Sequence, residues 1–207
     1  MKQEEKTKRT KERILAAAMV EFGEKSYDAA SINTICSESG ISKGLLYHNF
    51  VSKEELYLQC VRQSYQTMMG YLKAQEFDFD DVQGCLGKML EQRQTFFDEN
   101  PSEANVFFRS LLMPPKHLLG DIQEIRQETE TFYAGCYCAM LRNLTLREGI
   151  TEEMALQYVS GILEMFNTLF QRRAEQGSDY RALIQDHEGK LPRMLDMMLY
   201  GIAKEER

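Results

Sequence analysis

The sequence has few of the features that mark membrane, secreted or β-sheet proteins. No stretch approaches the roughly 18 uninterrupted apolar residues of a membrane helix. The charged N-terminus, MKQEEKTKRTKER, lacks the apolar core of a secretory signal. The chain holds only 4 prolines, and no run alternates apolar and polar residues over the length of a strand. These absences favour an all-α protein in the cytoplasm, without a membrane partner.

Patterns typical of metal sites and of catalysis are also missing. The 5 cysteines are odd in number and follow no regular spacing, so we expect buried thiols rather than a disulfide framework. Cys136 and Cys138 lie two positions apart on a predicted helix, where their side chains point about 200° apart and cannot share one metal ion. The histidines His48, His117 and His187 are scattered. The sequence contains no Gly-rich phosphate loop and no nucleophile motif. We therefore predict that the chain is not an enzyme and that it has neither a metal site nor a cofactor.

The net charge of −7 is unevenly distributed along the chain. Residues 1–62 hold ten basic and nine acidic side chains, whereas residues 63–207 hold fifteen and twenty-three. Most of the chain would therefore be repelled by nucleic acid, and only the N-terminal portion could approach it.

Apolar residues recur at helical spacing along the chain and predict about nine helices. The first runs from about Thr10 to Gly23, and Ser31, Ser42 and Ser52 are good N-caps for the next three. Glu55 completes a capping box with Ser52, and the fourth helix continues to about Ala74. The remaining helices are predicted near 80–98, 101–112, 119–147, 151–176 and 181–204. Pro192 predicts a kink in the last helix or a new start near Lys190.

The segment from Ser31 to Phe50 predicts a helix-turn-helix, formed by two short helices around a tight turn. Gly40 supplies the left-handed turn residue, and Ile41 fills the angle between the helices. The second helix would then present small and polar side chains outward, with a glycine that permits deep entry into a major groove. The outward residues are Ser42, Lys43, Gly44, Tyr47, His48 and Asn49.

This segment resembles the DNA-binding signature of the TetR family of bacterial transcriptional regulators. That signature is similar to T-x-x-x-I-A-x-x-A-G-V-S-K-G-x-L-Y-x-H-F-x-S-K-E-x-L, and the resemblance covers roughly residues 10–58. The matching positions are Ser31, Ile35, 40–44, Leu46, Tyr47, 49–50 and 52–56. Within this register the residue type departs from the family's usual one at Leu45, His48, Asn49 and Val51, which leaves the operator sequence open.

The resemblance implies roles for individual residues. Ser31, Tyr47 and Lys53 would hold phosphates, and Ser42, Lys43 and Gly44 would lie at the groove. The full set expected to contact DNA is Ser31, Ser42, Lys43, Gly44, Tyr47, His48, Asn49 and Lys53. The basic arm Lys6–Arg13 is equally well explained as a DNA contact or as a solvated, disordered tail.

The rest of the chain is expected to form a helical effector and dimerisation domain at residues 53–207, after a DNA-binding domain at residues 1–52. Soft and aromatic side chains predict a pocket for a small-molecule effector, although ordinary core packing explains each of them individually. These are Phe107, Phe108, Tyr133, Tyr137, Met140, Met165 and Phe166. Apolar side chains line one side of each of the last two helices and offer plausible partner surfaces: Tyr158, Ile162, Met165, Leu169 and Phe170 on one, and Leu191, Met194, Leu195, Met198, Leu199 and Ile202 on the other. By resemblance to the family, these two helices pair with those of a second copy.

These inferences predict a dimeric regulator that binds double-stranded operator DNA. They also predict that the regulator is a repressor and that a small-molecule effector releases it from the DNA. Binding of the effector would shift the long fourth helix and change the spacing of the two reading helices. An activator of the same family remains an alternative, because operator position decides that outcome. A helical protein-interaction adaptor with the same fold is a second alternative.

Overall fold

A computed structural model describes residues 2–202 of the chain, with side chains described for residues 4–198. Within that range there are nine α-helices and one 3-10 turn, and no β-strand is assigned, which confirms the all-α prediction. The helices are α1 (Lys2–Glu24), α2 (Ile32–Ser39), α3 (Lys43–Asn49), α4 (Lys53–Lys73), α5 (Val82–Glu99), α6 (Pro101–Leu112), α7 (Leu119–Arg142), α8 (Glu152–Glu175) and α9 (Tyr180–Ile202). The 3-10 turn is Lys116–Leu118.

Three helix boundaries differ from those predicted. Helix α1 begins at Lys2, so the basic arm is helical rather than a disordered tail; its first residues are good helix formers. Helix α7 ends at Arg142, and the next side chain, Asn143, donates a hydrogen bond to the carbonyl of Phe79 at 2.9 Å. Helix α9 does not start afresh near Lys190, because it is assigned continuously through Pro192.

The chain forms two compact units. The first comprises Met1–Met68 with Phe97–Arg126, and the second comprises Met69–Phe96 with Gln127–Arg207. Contacts alone define these units, so they do not test the predicted functional boundary between residues 52 and 53, which stays a prediction.

In the first unit, helix α1 is the central packing element. Its fully buried stripe of Ile14, Ala18 and Phe22 follows the helical repeat. Helix α6 approaches α1 closely: a Cβ built on Gly23 would lie 3.1 Å from the Asn105 Cβ. The Phe22 ring also meets the Tyr57 ring edge-on, at 5.1 Å between centroids.

The second unit has an aromatic and methionine-rich core around a buried polar group. Phe166 and Phe170 of α8 both pack against the ring of His187 in α9, with centroid distances of 4.8 and 4.9 Å. The His187 Nδ1 lies 2.8 Å from a Glu188 carboxylate oxygen, and its Nε2 lies 3.0 Å from the Asn167 Oδ1. Glu188 also forms an ion pair with Arg93 of α5. The Glu188 carboxylate is thereby held within an apolar core by two specific partners, His187 and Arg93.

Among the residues that the structure describes, none of the helices combines the length and apolar character that a bilayer-spanning helix needs. All five cysteines are free thiols; Cys60, Cys85 and Cys136 are buried, and Cys36 and Cys138 are half-buried. In the same described range, no group of three or more His, Cys, Asp or Glu side chains is arranged to hold a metal ion.

Candidate nucleic-acid interface

The turn between α2 and α3 has the geometry that the sequence predicts. Gly40 adopts the left-handed conformation, with φ of 62°. Its N–H donates to the Ser37 carbonyl at 3.2 Å, and the Ile41 N–H donates to the Cys36 carbonyl at 3.0 Å. This pair of bonds is the Schellman arrangement, which satisfies the last carbonyls of α2. Arg13 of α1 fastens the same turn by donating to the Ser39 carbonyl at 2.5 Å.

Serine side chains cap the start of each of these two helices. The Ser31 Oγ accepts a hydrogen bond from the Thr34 N–H at 3.4 Å, and the Ser42 Oγ accepts one from the Leu45 N–H at 3.3 Å. Both predicted N-caps are therefore confirmed. The capping box at α4 is present in altered form: Glu55 N–H donates to the Ser52 Oγ at 3.1 Å, while its carboxylate accepts from the N–H of Val51.

A buried carboxylate, not foreseen from the sequence, fixes the start of α2 against α1. Glu21 accepts hydrogen bonds from the Lys25 Nζ at 2.8 Å and from the Ser31 N–H at 2.8 Å. Burial by itself raises the pKa of Glu21. The hydrogen bonds from Lys25 and Ser31, with the positive charges of Lys25 and Lys53, outweigh burial and leave that pKa below its ordinary value. One sequence signal could have identified Glu21 as buried: it lies beside Phe22, on the buried side of α1.

Helix α3 has a clear inner and outer face. Leu46 is completely buried and Phe50 nearly so, which defines the inward direction. At about 100° per residue, Gly44 and His48 then point away from the core, and Leu45 and Tyr47 lie on either side of them. Leu45 and Tyr47 are each 41% exposed. Helix α3 therefore presents one continuous outer surface with a glycine near its centre.

Gly44 is explained neither by backbone conformation nor by packing within the chain. It is absent from the glycines with positive φ, which are Gly40, Gly149 and Gly177. A Cβ built on Gly44 would meet no described atom within 4 Å. Glycine weakens a helix relative to alanine, and at this position on the outer face it leaves space for another molecule to approach α3 closely.

The predicted contact residues fall into two groups. The first group is exposed on or next to α3, and comprises Ser42, which also caps α3, with Lys43, Gly44, Tyr47 and His48. The second group already has contacts within the chain. Ser31 caps α2, the Asn49 amide donates to the Leu45 carbonyl at 2.8 Å, and the Lys53 Nζ lies 4.6 Å from the centre of the Tyr27 ring.

Helix α6 supports this unit through a residue whose role the sequence did not reveal. The Arg109 guanidinium donates to the carbonyl of Gly23 at 2.7 Å and to that of Glu24 at 2.8 Å. These carbonyls end α1, where a positive charge is favourable. Arg109 is 85 or more positions away in the chain, so no local pattern could have identified the pair.

The residues predicted for an effector pocket belong to different parts of the fold. Phe107 and Phe108 are buried in the first unit, in a cluster with Phe97 at 5.1 and 4.9 Å between ring centroids. In the second unit, the rings of Tyr133 and Tyr137 are stacked at 6.3 Å.

The other three predicted pocket residues also lie in the second unit. Met140 and Phe166 are buried there, whereas Met165 is 56% exposed. All these positions are compatible with ordinary core or surface packing, so a role in ligand binding stays a prediction for each of the seven.

Tyr133 lies beside the ion pair of Arg93 and Glu188. Burial raises the pKa of Tyr133, and the positive charge of Arg93 only partly offsets that effect. Burial also raises the pKa of Tyr137. Both phenols are therefore neutral at physiological pH and can act as hydrogen-bond donors.

An N-capped pair of short helices, a Schellman turn and an exposed second helix define this chain as a helix-turn-helix protein. Comparison with known proteins agrees. Residues 14–60 match the family model described as bacterial regulatory proteins, tetR family. The transcriptional regulator UidR of Escherichia coli K12 is 49% identical over 47 residues, which are 23% of this chain and 24% of UidR. The matched segment thus spans about a quarter of that relative.

Solved structures extend the likeness of fold to almost the whole chain. NalD, the secondary repressor of the MexAB-OprM multidrug efflux pump in Pseudomonas aeruginosa, superposes with a TM-score of 0.60 at 19% identity, covering 98% of this chain and 100% of NalD. The regulator FadR of Bacillus subtilis, solved with stearoyl-CoA, gives 0.56 at 19% identity, covering 86% of this chain and 96% of FadR. Residues 14–60 are thus similar to the tetR family of bacterial regulatory proteins, and the chain shares the fold of these solved structures.

Proposed function

We propose that this chain is a homodimeric repressor that binds operator DNA through α3 and releases it when a small molecule binds. The observation that carries the DNA-binding part is the outer face of α3. Neither a positive φ nor a close neighbour inside the chain requires its glycine, and the exposed Lys43 and Tyr47 flank it with groups suited to phosphates. The repressor part is supported by likeness to NalD, which is described as a repressor.

The dimer is proposed from an apolar stripe on α8. Met154, Tyr158, Met165 and Leu169 are all exposed, and their spacing places them within about 60° of one another around the helix. The buried side chains of α8, such as Phe166 and Phe170, lie beside this stripe. A second copy would cover the stripe symmetrically, and two reading helices would then address a palindromic site. The predicted dimer positions Leu199 and Ile202 lie outside the side chains that the structure describes.

The effector is proposed to bind in the second unit near Tyr133, Tyr137 and Met140. The two neutral phenols offer hydrogen bonds, and the methionine offers an adaptable apolar wall. FadR, which shares the fold, was solved with stearoyl-CoA, so we expect a small-molecule ligand here also. Coupling of about 1–3 kcal/mol between effector and operator would suffice for regulation.

Selection from a pool of random duplexes tests the DNA-binding proposal directly. The purified full-length chain should enrich a palindromic sequence, and its affinity should fall steeply as salt increases. Lys43→Ala should weaken binding and lower the slope of log Kd against log salt by about 2 for a dimer, one for each lost phosphate contact. The matched control is Lys88→Ala, which removes an exposed lysine from α5. Equal behaviour of the two variants, or enrichment of no duplex, would contradict the proposal.

The effector proposal is tested with a panel of small molecules that includes stearoyl-CoA. At least one compound should raise Tm and lower operator affinity, and Tyr137→Ala should reduce both effects. A compound that raises the Tm of the parent more than that of Tyr137→Ala has its binding placed in this unit. If such a compound leaves operator affinity unchanged, that result would contradict release by an effector.

A further inference from the structure

Leu45 is the one residue on the outer face of α3 that offers only apolar surface. It lies directly after Gly44 and is 41% exposed, whereas its neighbour Leu46 is fully buried. Lys43, Tyr47 and His48 on the same short helix can each contact a phosphate or a hydrogen-bonding base edge. A leucine side chain can do neither, so its exposure beside the proposed groove contact needs a different explanation.

The side of α3 that carries Leu45 has little other means of reading DNA. Asn49 is the nearest polar side chain around the helix, and its amide already donates to the Leu45 carbonyl at 2.8 Å. Asn49 is only half exposed, and the Ser42 hydroxyl accepts from the Leu45 N–H at 3.3 Å. Both neighbours are thus engaged in hydrogen bonds to the backbone of α3, whereas the exposed Leu45 side chain has no polar group to engage.

Only one group in the major groove of ordinary DNA is apolar, the C5-methyl group of thymine. We propose that Leu45 determines operator specificity by packing on a thymine methyl group in each half-site. The inference rests on the proposed function, because it requires α3 to enter the major groove. It adds the base that this position selects and the kind of contact that selects it.

Gly44 makes such a contact geometrically reasonable. With no side chain at that position, the first turn of α3 can approach the base edges closely, and Leu45 is next to it. A bulkier residue at position 44 would hold Leu45 away from the groove floor. The pair Gly44-Leu45 therefore acts as one reading element, in which the glycine gives depth and the leucine gives base preference.

The test removes the methyl group without altering base pairing. In the selected operator, each thymine is replaced in turn by deoxyuridine, symmetrically in both half-sites, and Kd is measured for the parent chain and for Leu45→Ala. At one thymine, deoxyuridine should weaken the parent by roughly threefold to fivefold per methyl group. The same replacement should leave the affinity of Leu45→Ala unchanged, because the two changes remove the same contact. Val20→Ala, which shortens an exposed apolar residue of α1, is the matched control and should keep the parent profile.

Two results would overturn the inference, and they differ from failure of the proposed function. If Leu45→Ala and the parent respond alike to deoxyuridine at every thymine, Leu45 does not read a methyl group. If Leu45→Ala weakens all duplexes equally, it contacts the sugar-phosphate backbone instead. In either case Lys43→Ala would still reduce the salt slope, so DNA binding through α3 would stand. Enrichment of no duplex at all would overturn both proposals.

Discussion

At the scale of single residues, Gly44 is a position where the effect of a substitution on stability can be distinguished from its effect on binding. Its conformation does not require glycine, and space around it is open. Folding and DNA binding each place a requirement on this position. Here the two requirements oppose each other, because an alanine would favour the helix and obstruct the approach of DNA.

Gly44→Ala should therefore stabilise the protein by up to about 1 kcal/mol and weaken operator binding at least tenfold. Urea unfolding and operator Kd measure the two effects. Gly87→Ala is the control, since Gly87 is an exposed glycine of α5 with equally open surroundings; it should stabilise without loss of binding. Unchanged operator affinity in Gly44→Ala would show that the glycine does not permit close approach.

Glu21 is a second residue whose local setting has a measurable consequence. Because its pKa in the folded chain lies below the ordinary value of 4.5, its stabilising contribution is complete above pH 4.5. That contribution is lost as the pH falls through the lower, folded-state pKa. The carboxylate holds both Lys25 and the N–H of Ser31, so its protonation loosens the start of α2.

Glu21→Gln should lower the free energy of unfolding by about 1–2 kcal/mol at pH 7. Below pH 4.5 the difference from the parent should begin to shrink, because the carboxylate of the unfolded parent takes up a proton there, whereas that of the folded parent does so only at lower pH. Urea unfolding at pH 7 and pH 4, at one fixed protein concentration, provides the comparison. The exposed Glu12→Gln on the same helix is the control. A difference that grew in acid would contradict the assigned direction of the pKa shift.

At the scale of elements, helices are joined by polar contacts as well as by apolar packing. In the first unit, Arg109 of α6 ends α1 by binding its last carbonyls. In the second unit, Arg93 of α5 pairs with Glu188 of α9, with side-chain exposures of only 11% and 16%. Buried pairs of this kind cost desolvation when formed, but leave an uncompensated charge when one partner is removed.

Arg93→Met alone should destabilise the second unit by about 3 kcal/mol, and Glu188→Met should have a comparable effect. The double variant should cost less than the sum, with a coupling of at least about 1 kcal/mol. The exposed pair Lys73 and Glu128, 2.8 Å apart, is the control pair and should show almost no coupling. Strict additivity of Arg93→Met and Glu188→Met would mean that the ion pair does not join α5 to α9.

At the scale of the whole molecule, the proposed regulation depends on a second copy. A monomer reads few base pairs, whereas two half-sites one DNA turn apart give useful specificity. The exposed stripe of Met154, Tyr158, Met165 and Leu169 on α8 offers the apolar surface for such an assembly.

Met165→Glu should convert the dimer to a monomer and greatly weaken operator binding, because it places a charge within the proposed interface. Met165 is 56% exposed in the single chain, so the substitution should leave the monomer folded, as circular dichroism would verify. Sedimentation equilibrium measures the assembly. Ser160→Glu, on the opposite side of α8, is the control and should remain dimeric. Retention of the dimer in Met165→Glu would place the interface elsewhere.

Local chemistry in the sequence determined the helical class, the serine caps of α2, α3 and α4, and the left-handed turn at Gly40. Each of these depends on a residue and its neighbours within about four positions, where backbone geometry and side-chain type act directly. The family resemblance rested on the same short segment.

Tertiary structure alone decided which side chains are engaged within the folded chain and which can contact a partner. Lys53 looks like a free DNA contact in the sequence, but in the folded chain its Nζ lies over the ring of Tyr27. Arg109 and the pair of Arg93 and Glu188 acquire their roles only when distant helices meet. The physical reason is that hydrogen bonds and burial depend on separation in space, whereas sequence patterns report only separation along the chain.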